Sequence, residues 1–267
     1  MEKITMLGTG NAMSTRCYNT CFFLHTPAGG LMVDGGGGNG IFKQLHRAGI
    51  PVERIHHLFV THCHSDHILG ALWLIRKISP MLHRGRYTGT FTIYCHDEVK
   101  ETLLTICRLT LPAKITKAVG ENIIIHVVKD GEQALIDGMK VTFFDIASTK
   151  MKQFGFCATM PSGKRVTCLG DEPYNERNEQ YVKGCDWMLS EAFCLDKDKE
   201  IFRPYEKHHS TALDAGLQAE KLGVKNLLLY HTEDTHLSSR RENYTLEAQR
   251  VFSGNVHVPD DLETLYI

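Results

Sequence analysis

Apolar residues along the chain fall into short runs separated by glycine. Ile4 to Leu7, Cys21 to His25 and Leu31 to Val33 each have the length and side-chain type of a buried strand. Asp34 opens a run of four glycines, Gly35 to Gly38, and a helical stretch follows from about Ile41 to Arg47. Ile55 to Val60 is a further apolar run and reads as a buried strand. From Asp66 to Ile78 the period changes: Ile68, Leu69, Leu72, Leu74, Ile75 and Ile78 recur at helical spacing. Strand and helix then alternate through Phe91 to Cys95, Glu98 to Leu109, Ile123 to Val128 and Val141 to Ile146. In the second half, Phe154 to Thr159 and Arg165 to Leu169 predict a hairpin closed by Met160-Pro161-Ser162-Gly163. Trp187 to Ser190 predicts a short strand. Thr211 to Leu222 predicts an amphipathic helix ending at Gly223, where a left-handed cap suits glycine. Asn226 to Tyr230 predicts a strand, and Tyr244 to Phe252 the last helix before a short C-terminal strand. With no linker, low-complexity tract or repeat, one α/β domain over residues 1–267 is the economical reading.

Composition narrows the class. Of 267 residues, 42 % are hydrophobic, enough for a sizeable core. Lys and Arg number 30 against 31 for Asp and Glu, so no global field steers the protein toward nucleic acid or an anionic membrane. No apolar stretch approaches the roughly 20 residues of a membrane span, and the first residues lack a signal-peptide profile. The nine cysteines are odd in number, scattered and without a Cys-x-x-Cys pair. They read as reduced thiols, and the expected compartment is the cytoplasm. Cys17 and Cys21 have no matching second pair for a zinc site and read as two buried apolar thiols.

The densest chemistry lies in Thr61-His62-Cys63-His64-Ser65-Asp66-His67, directly after a buried strand. His62 and His64 are two apart in an extended segment and project from one side. Asp66 and His67 begin the following helix, where backbone geometry swings them toward the same point. Three imidazoles and one carboxylate within six positions form a donor set suited to Zn²⁺, Mn²⁺, iron or Co²⁺.

The pattern His-x-His-x-Asp-His after an apolar strand resembles the signature of the metallo-β-lactamase superfamily. The resemblance implies an αββα four-layer sandwich holding two divalent metal ions, zinc first among them, at the edge of two facing sheets. It implies that His62 and His64 serve one metal and Asp66 and His67 the second, with Asp66 helping to hold a metal-generated hydroxide. Asp171, in Leu169-Gly170-Asp171 after a strand, is similar to the family's Gly-Asp step, whose carboxylate bridges both metals. His231, after the apolar run Leu227 to Tyr230, resembles the last ligand of the second metal; His236, farther out in a polar loop, is the competitor.

One position departs from the family's pattern. A histidine ligand is expected shortly before a Gly-aromatic strand, often as His-Ser, and Phe144-Asp145-Ile146-Ala147-Ser148 places Ala147 there, ahead of Phe154-Gly155-Phe156. A methyl group coordinates nothing, so the first metal would keep only His62, His64 and Asp171 plus solvent. The readings are an inactivating substitution introduced deliberately, a natural variant with an altered site, or a slipped alignment; the intact surroundings favour the first.

Within the superfamily, several segments resemble the ribonuclease Z branch. Leu7-Gly8-Thr9-Gly10 with Asn19-Thr20 is similar to its opening hairpin. Asp34-Gly35-Gly36-Gly37 resembles its Asp-x-Gly-x-Gly turn, where glycine lets the backbone pass close under the metal site. Ser190-Glu191-Ala192-Phe193 and His209-Ser210-Thr211-Ala212 resemble its Glu-centred and His-centred motifs. The resemblance implies that Glu191 orients His209, which donates a proton to the leaving oxygen as a phosphodiester breaks. The long basic arm by which such enzymes grip transfer RNA has no counterpart, since the Phe156-to-Leu169 segment closes in a short turn. Small phosphodiesters become the expected substrates, including cyclic nucleotides. Arm-less cyclic-nucleotide phosphodiesterases of this fold, some used by phages against cyclic-pyrimidine signalling, are similar in length and plan. Lys150, Lys152 and Arg240 or Arg241 are candidate phosphate contacts. The expectation is a dinuclear phosphodiesterase, impaired at Ala147 and dimeric by family resemblance. The alternatives are transfer RNA 3′ processing, hydrolysis of another ester or lactone, and nucleotide binding without turnover.

Overall fold

A computed structural model describes residues 1–267. The first apolar runs become strands β1 (Lys3–Gly8), β2 (Cys21–His25) and β3 (Gly30–Val33), followed by helix α1 (Gly40–Arg47). Next come β4 (His57–Phe59), α2 (Ser65–His83), β5 (Phe91–Cys95), α3 (Asp97–Thr110), the one-turn α4 (Ala113–Thr116) and β6 (Ile123–Val127). The second half contains β7 (Gln133–Ile136), β8 (Met139–Asp145), β9 (Phe154–Thr159), β10 (Arg165–Cys168), α5 (Glu179–Val182) and β11 (Trp187–Glu191). It continues with α6 (Lys199–Phe202), α7 (Ala212–Leu222), β12 (Asn226–Tyr230), α8 (Leu237–Ala248) and β13 (Asn255–His257), and β14 (Thr264–Tyr266) returns to the first strand.

Two seven-stranded sheets result, in the orders β14-β1-β2-β3-β4-β5-β6 and β13-β12-β11-β10-β9-β8-β7. Alternation along the strands sends Ile4, Met6, Phe22, Leu24 and Phe59 of one sheet against Phe143, Phe156, Val166 and Leu189 of the other. The opposite faces bury Leu7, Phe23, Ile93 and Leu58 beneath α1, α2 and α3, and Leu227, Leu229 and Met188 beneath α7 and α8. Helices outside two facing sheets give the expected αββα sandwich. β3 to β6 run parallel in one sheet, as do β10 to β13 in the other. Their carboxyl ends gather along one edge, where loops carry functional groups in open α/β sheets.

Two glycines set how closely that edge packs. A Cβ on Gly70, in α2, would lie 1.8 Å from the Gly35 carbonyl oxygen, and one on Gly35 would lie 2.6 Å from the Ala71 nitrogen. The loop after β3 therefore rests directly on the helix that carries Asp66 and His67.

Some boundaries differ from the sequence expectation. α2 runs past Ile78 to His83 because Met81 continues its buried stripe, and Pro80, in the last turn, costs little more than its missing hydrogen bond. The last helix occupies Leu237–Ala248 rather than Tyr244 to Phe252. Its buried face includes Arg240 and Glu247 beside Tyr244 and Ala248, so no apolar period marks it. Strand β7 was not expected: it is a short edge strand, largely exposed at Gln133 and Leu135, joined to β8 by the Asp137-Gly138 turn with φ of 45° and 86°. Cys21 is buried as expected and Cys17 only half-buried; all nine thiols are free. No helix is long and apolar enough to cross a membrane.

Gly70→Ala should lower the unfolding free energy by about 3 kcal/mol, as overpacking against fixed backbone does. Gly49→Ala, with open space around it and φ of 67°, should cost only about 1 kcal/mol of left-handed strain. Urea denaturation of both variants checks the order; equal losses would contradict the close contact between Gly35 and Gly70.

Candidate metal centre

Every ligand expected from the sequence lies at that shared edge. His62 and His64 follow β4, Asp66 and His67 occupy the first turn of α2, Asp171 follows β10 and His231 follows β12. His62, Asp66, His67, Asp171 and His231 are buried; His64 is half-exposed. His62, His64 and Asp171 offer one ligand atom each within 4.8 Å of one another, and Asp66, His67 and His231 do the same. A third such group joins Asp171, His209 and His231. His236 is the residue before α8 and belongs to none of these groups.

Asp171 Oδ2 is the common focus. It lies 3.5 Å from His62 Nε2, 4.0 Å from His64 Nδ1, 3.8 Å from His67 Nε2 and 3.7 Å from His231 Nε2. The other carboxylate oxygen is held elsewhere: Gln153 Nε2 donates to Asp171 Oδ1 at 2.5 Å, and Gln153 Oε1 accepts from the Asp171 backbone N–H at 2.7 Å. Gly170, at φ 76°, leaves room for this clamp; a Cβ there would lie 2.1 Å from Gln153 Oε1. Burial works to raise the Asp171 carboxyl, but His62, His231 and His67 overcome it and hold the group well below the usual carboxylate range. Burial keeps His62 neutral, and His231 neutral with a pKa near 3, the protonation state in which imidazole binds metal.

His67 is aimed by residues that no ligand motif contains. Its Nδ1–H donates to Asp34 Oδ2 at 2.7 Å, which turns Nε2 toward the site, 3.2 Å from Asp66 Oδ2. Asp34 is fixed in turn by the Thr61 backbone N–H at 2.8 Å and by the Thr61 hydroxyl. Orientation of a ligand histidine by a carboxylate is a recurrent support for metal sites. Burial disfavours charge on His67, yet Asp66 and Asp34 together pull its pKa well above the ordinary value. Nε2 itself is buried without a hydrogen-bond partner. A buried nitrogen between two carboxylate oxygens calls for positive charge, and a divalent cation between Asp66, Asp171 and His231 satisfies it. The donor set fits divalent metal of the kind the resemblance implied.

Beside this cluster, Glu191 and His209 come together as expected. His209 Nδ1 lies 3.5 Å from Glu191 Oε2, while Glu191 Oε1 accepts from the Ser210 backbone N–H at 2.7 Å and hydroxyl at 2.6 Å. Burial raises the Glu191 carboxyl, with His209 and Ser210 pulling it back. The His209 ring stacks on Phe193 at 4.8 Å and lies 5.3 Å from that of His231. Lys150 Nζ sits 3.3 Å from His209 Nε2. The other proposed cations point elsewhere. Lys152 pairs with Asp97, Arg241 with Asp260 and Glu263, and Arg240 is buried, donating to Thr9, Thr232 and the Pro259 carbonyl.

Ala147 lies where the departure was expected to lie. The Ile146 backbone N–H donates to the Gln153 carbonyl, and Ser148 Oγ donates to Glu172 Oε1 at 2.5 Å, so the segment is tied to the residue that clamps Asp171 and to the residue that follows it. Ala147 has φ of 57°, nearly the value of the candidate ligand His231 at 58° and of Asp34 at 56°. Its N–H donates to Asp145 Oδ1 at 2.8 Å. Left-handed backbone costs a non-glycine residue about 1 kcal/mol or more and tends to persist at functional sites.

The sequence model of a family described as anti-Pycsar protein Apyc1 matches residues 2–248. A curated relative, ribonuclease Z from Nanoarchaeum equitans, is 25 % identical over 90 % of this chain and 86 % of its own length. Among solved structures, the metallo-β-lactamase fold protein YhfI from Bacillus subtilis has a TM-score of 0.79 at 20 % identity, over 99 % of this chain and 98 % of its own. The short form of human tRNase Z has a TM-score of 0.74 at 19 % identity, over 99 % and 98 %. These likenesses establish the metallo-β-lactamase fold, in its ribonuclease Z-like branch.

Gln153→Ala should lower metal affinity ten- to a hundredfold, as loss of a supporting hydrogen bond does at such sites, with little change in secondary structure. Competition with a chromophoric chelator measures it. Unchanged affinity would show that Asp171 needs no clamp.

Proposed function

From the premise that the chain belongs to the anti-Pycsar protein Apyc1 family, we propose that it is a metal-dependent phosphodiesterase acting on a small nucleotide diester, cyclic nucleotides first. The observation that carries this reading is the placement of His209 within reach of Asp171 and His231, one from each ligand group, with Glu191 behind it. Two divalent cations bound there, zinc or a similar ion, would supply an activated water and neutralise charge on the phosphate. The residues of the chain do the rest. His62, His64, Asp66, His67, Asp171 and His231 hold the metals. Glu191, whose Oε2 stands 3.5 Å from His209 Nδ1, orients the ring so that Nε2 faces the leaving oxygen, to which it donates a proton. Phe193 keeps the imidazole plane fixed by stacking. Lys150, 3.3 Å from His209 Nε2, is placed to take a non-bridging phosphate oxygen.

The joint between β9 and β10 supports a small substrate over a folded RNA. It is a five-residue turn, Met160 to Lys164, closed by the Met160 N–H donating to the Lys164 carbonyl at 2.8 Å. Nothing extends there to grip a distant part of a large substrate. A second reading, 3′ processing of transfer RNA, rests on the curated ribonuclease Z relative. With Ala147 in place, only His62, His64 and Asp171 would hold a first metal, one protein group fewer than Asp66, His67, His231 and Asp171 would offer a second. A nucleotide-binding protein without turnover is the reading that follows if that position stays empty.

Ala147→His should raise turnover of cyclic nucleotides or model phosphodiesters by about a hundredfold or more, with Zn²⁺ or Mn²⁺ present. In that background His209→Ala should lower kcat by about 10²- to 10⁴-fold while leaving metal content unchanged. A panel of cyclic nucleotides, linear diesters and precursor transfer RNA checks both. Turnover of precursor transfer RNA above that of small diesters would favour the second reading, and no gain on any diester would contradict the first.

A further inference from the structure

The opposite end of the sandwich carries an unrelated concentration of positive groups. β1, β3, β4 and β5 run in one direction, so their amino ends and the carboxyl end of β2 lie together, far from the ligand loops. There a cavity of about 820 Å³ opens, within the usual range for small-molecule sites. Its charged and titratable walls are Lys3, His25, Arg54, His56, His57 and Asp137. Thr5, Thr26, Thr90, Thr92 and Thr264 add five threonines to its polar lining.

The charges there do not balance. Lys3 and Arg54 form no ion pair within the chain, and the single carboxylate is already engaged. Asp137 Oδ2 accepts from the Gly30 N–H at 2.8 Å, and Oδ1 stands 3.9 Å from His57 Nε2. The other nitrogen of His57, Nδ1, is buried with no hydrogen-bond partner. His25 Nε2 lies 2.9 Å from the Thr5 hydroxyl. Burial, and then Lys3, push the His25 imidazole down to about 4. Two permanent cations, three imidazoles and hydroxyl donors against one committed carboxylate make a site that lacks its anion.

We infer that this cavity is a second binding site, distinct from the metal centre, for a small phosphorylated anion. The Arg54 guanidinium fork and the Lys3 ammonium together match the charge of a phosphate dianion. Imidazole and threonine hydrogen bonds take the remaining oxygens. The rest of the cavity has room for a group attached to the phosphate, so the ligand is either free phosphate or the phosphate end of a nucleoside monophosphate. The inference does not depend on the reaction at the metal centre, since no residue is shared.

Imidazole ¹H–¹⁵N NMR on the metal-loaded protein tests it, with inorganic phosphate and a nucleoside 5′-monophosphate titrated separately. His25 and His57 resonances should shift saturably, with a Kd on the order of 1 mM or below. The same shifts should persist in Asp171→Asn, which disables the metal centre. Lys3→Ala/Arg54→Ala, at positions outside the core, should weaken binding at least about tenfold. A tighter fit for the monophosphate assigns the nucleotide, and equal affinities assign the free anion. Resonances that do not move, shifts lost in Asp171→Asn, or unchanged affinity in Lys3→Ala/Arg54→Ala would each overturn the site.

Discussion

One oxygen of one buried carboxylate organises this protein. Asp171 Oδ2 sits within 4.0 Å of nitrogens from four histidines, drawn from two loops on facing sheets. Bringing so many polar groups out of water is costly unless each has a partner. The fold meets that demand in layers. Gln153 takes one carboxylate oxygen and Asp34 takes the far side of His67, while Thr61 steadies Asp34. What remains unpaired points inward, where a cation belongs. Strained backbone gathers at the same place: Asp34, Ala147 and His231 are all left-handed without being glycine. The contact of Gly35 with Gly70 brings the Asp34 loop close enough to reach His67.

Much of this was legible in the sequence because the ligands are dense and their order along the chain is fixed by strand ends. The His62-to-His67 loop announced itself by composition alone, and Asp171, His231, Glu191 and His209 followed from their places after apolar runs. The four-layer architecture followed from the resemblance, and the alternating periods agreed with it. The supporting residues were harder. Gln153 carries no motif, and its role depends on a pairing between the β8–β9 loop and the segment after β10 that spacing cannot reveal. Asp34 was noticed for its glycines and not for its bond to His67. Thr61 stood beside the histidines without any sign that its N–H and hydroxyl both donate to Asp34. Of the proposed cations, only Lys150 reaches the site; the sequence could not show that Arg240 is buried among Thr9, Thr232 and Pro259.

The missed elements have physical reasons as well. α8 buries an arginine and a glutamate, so the apolar period that marks other helices is absent there. β7 is an edge strand of only four residues, and its one clear signal was the Asp137-Gly138 turn. At Ala147 the sequence and the structure meet. The departure from the family's pattern sits in a loop tied to Gln153 and Glu172, beside Asp171, and keeps the backbone conformation found at His231. The loop retains the shape of a ligand position and lacks the ligand. The two metal positions proposed are therefore unequal, the second offering four protein groups and the first three.

Anomalous diffraction from a crystal of the zinc-loaded protein tests that account directly. It predicts a full-occupancy ion bonded to Asp66, His67, His231 and Asp171 at about 2.0–2.2 Å, and a weaker ion on the His62 side of the same Asp171 oxygen. Zinc bound away from Asp171, or the stronger ion at the position beside Ala147, would contradict it.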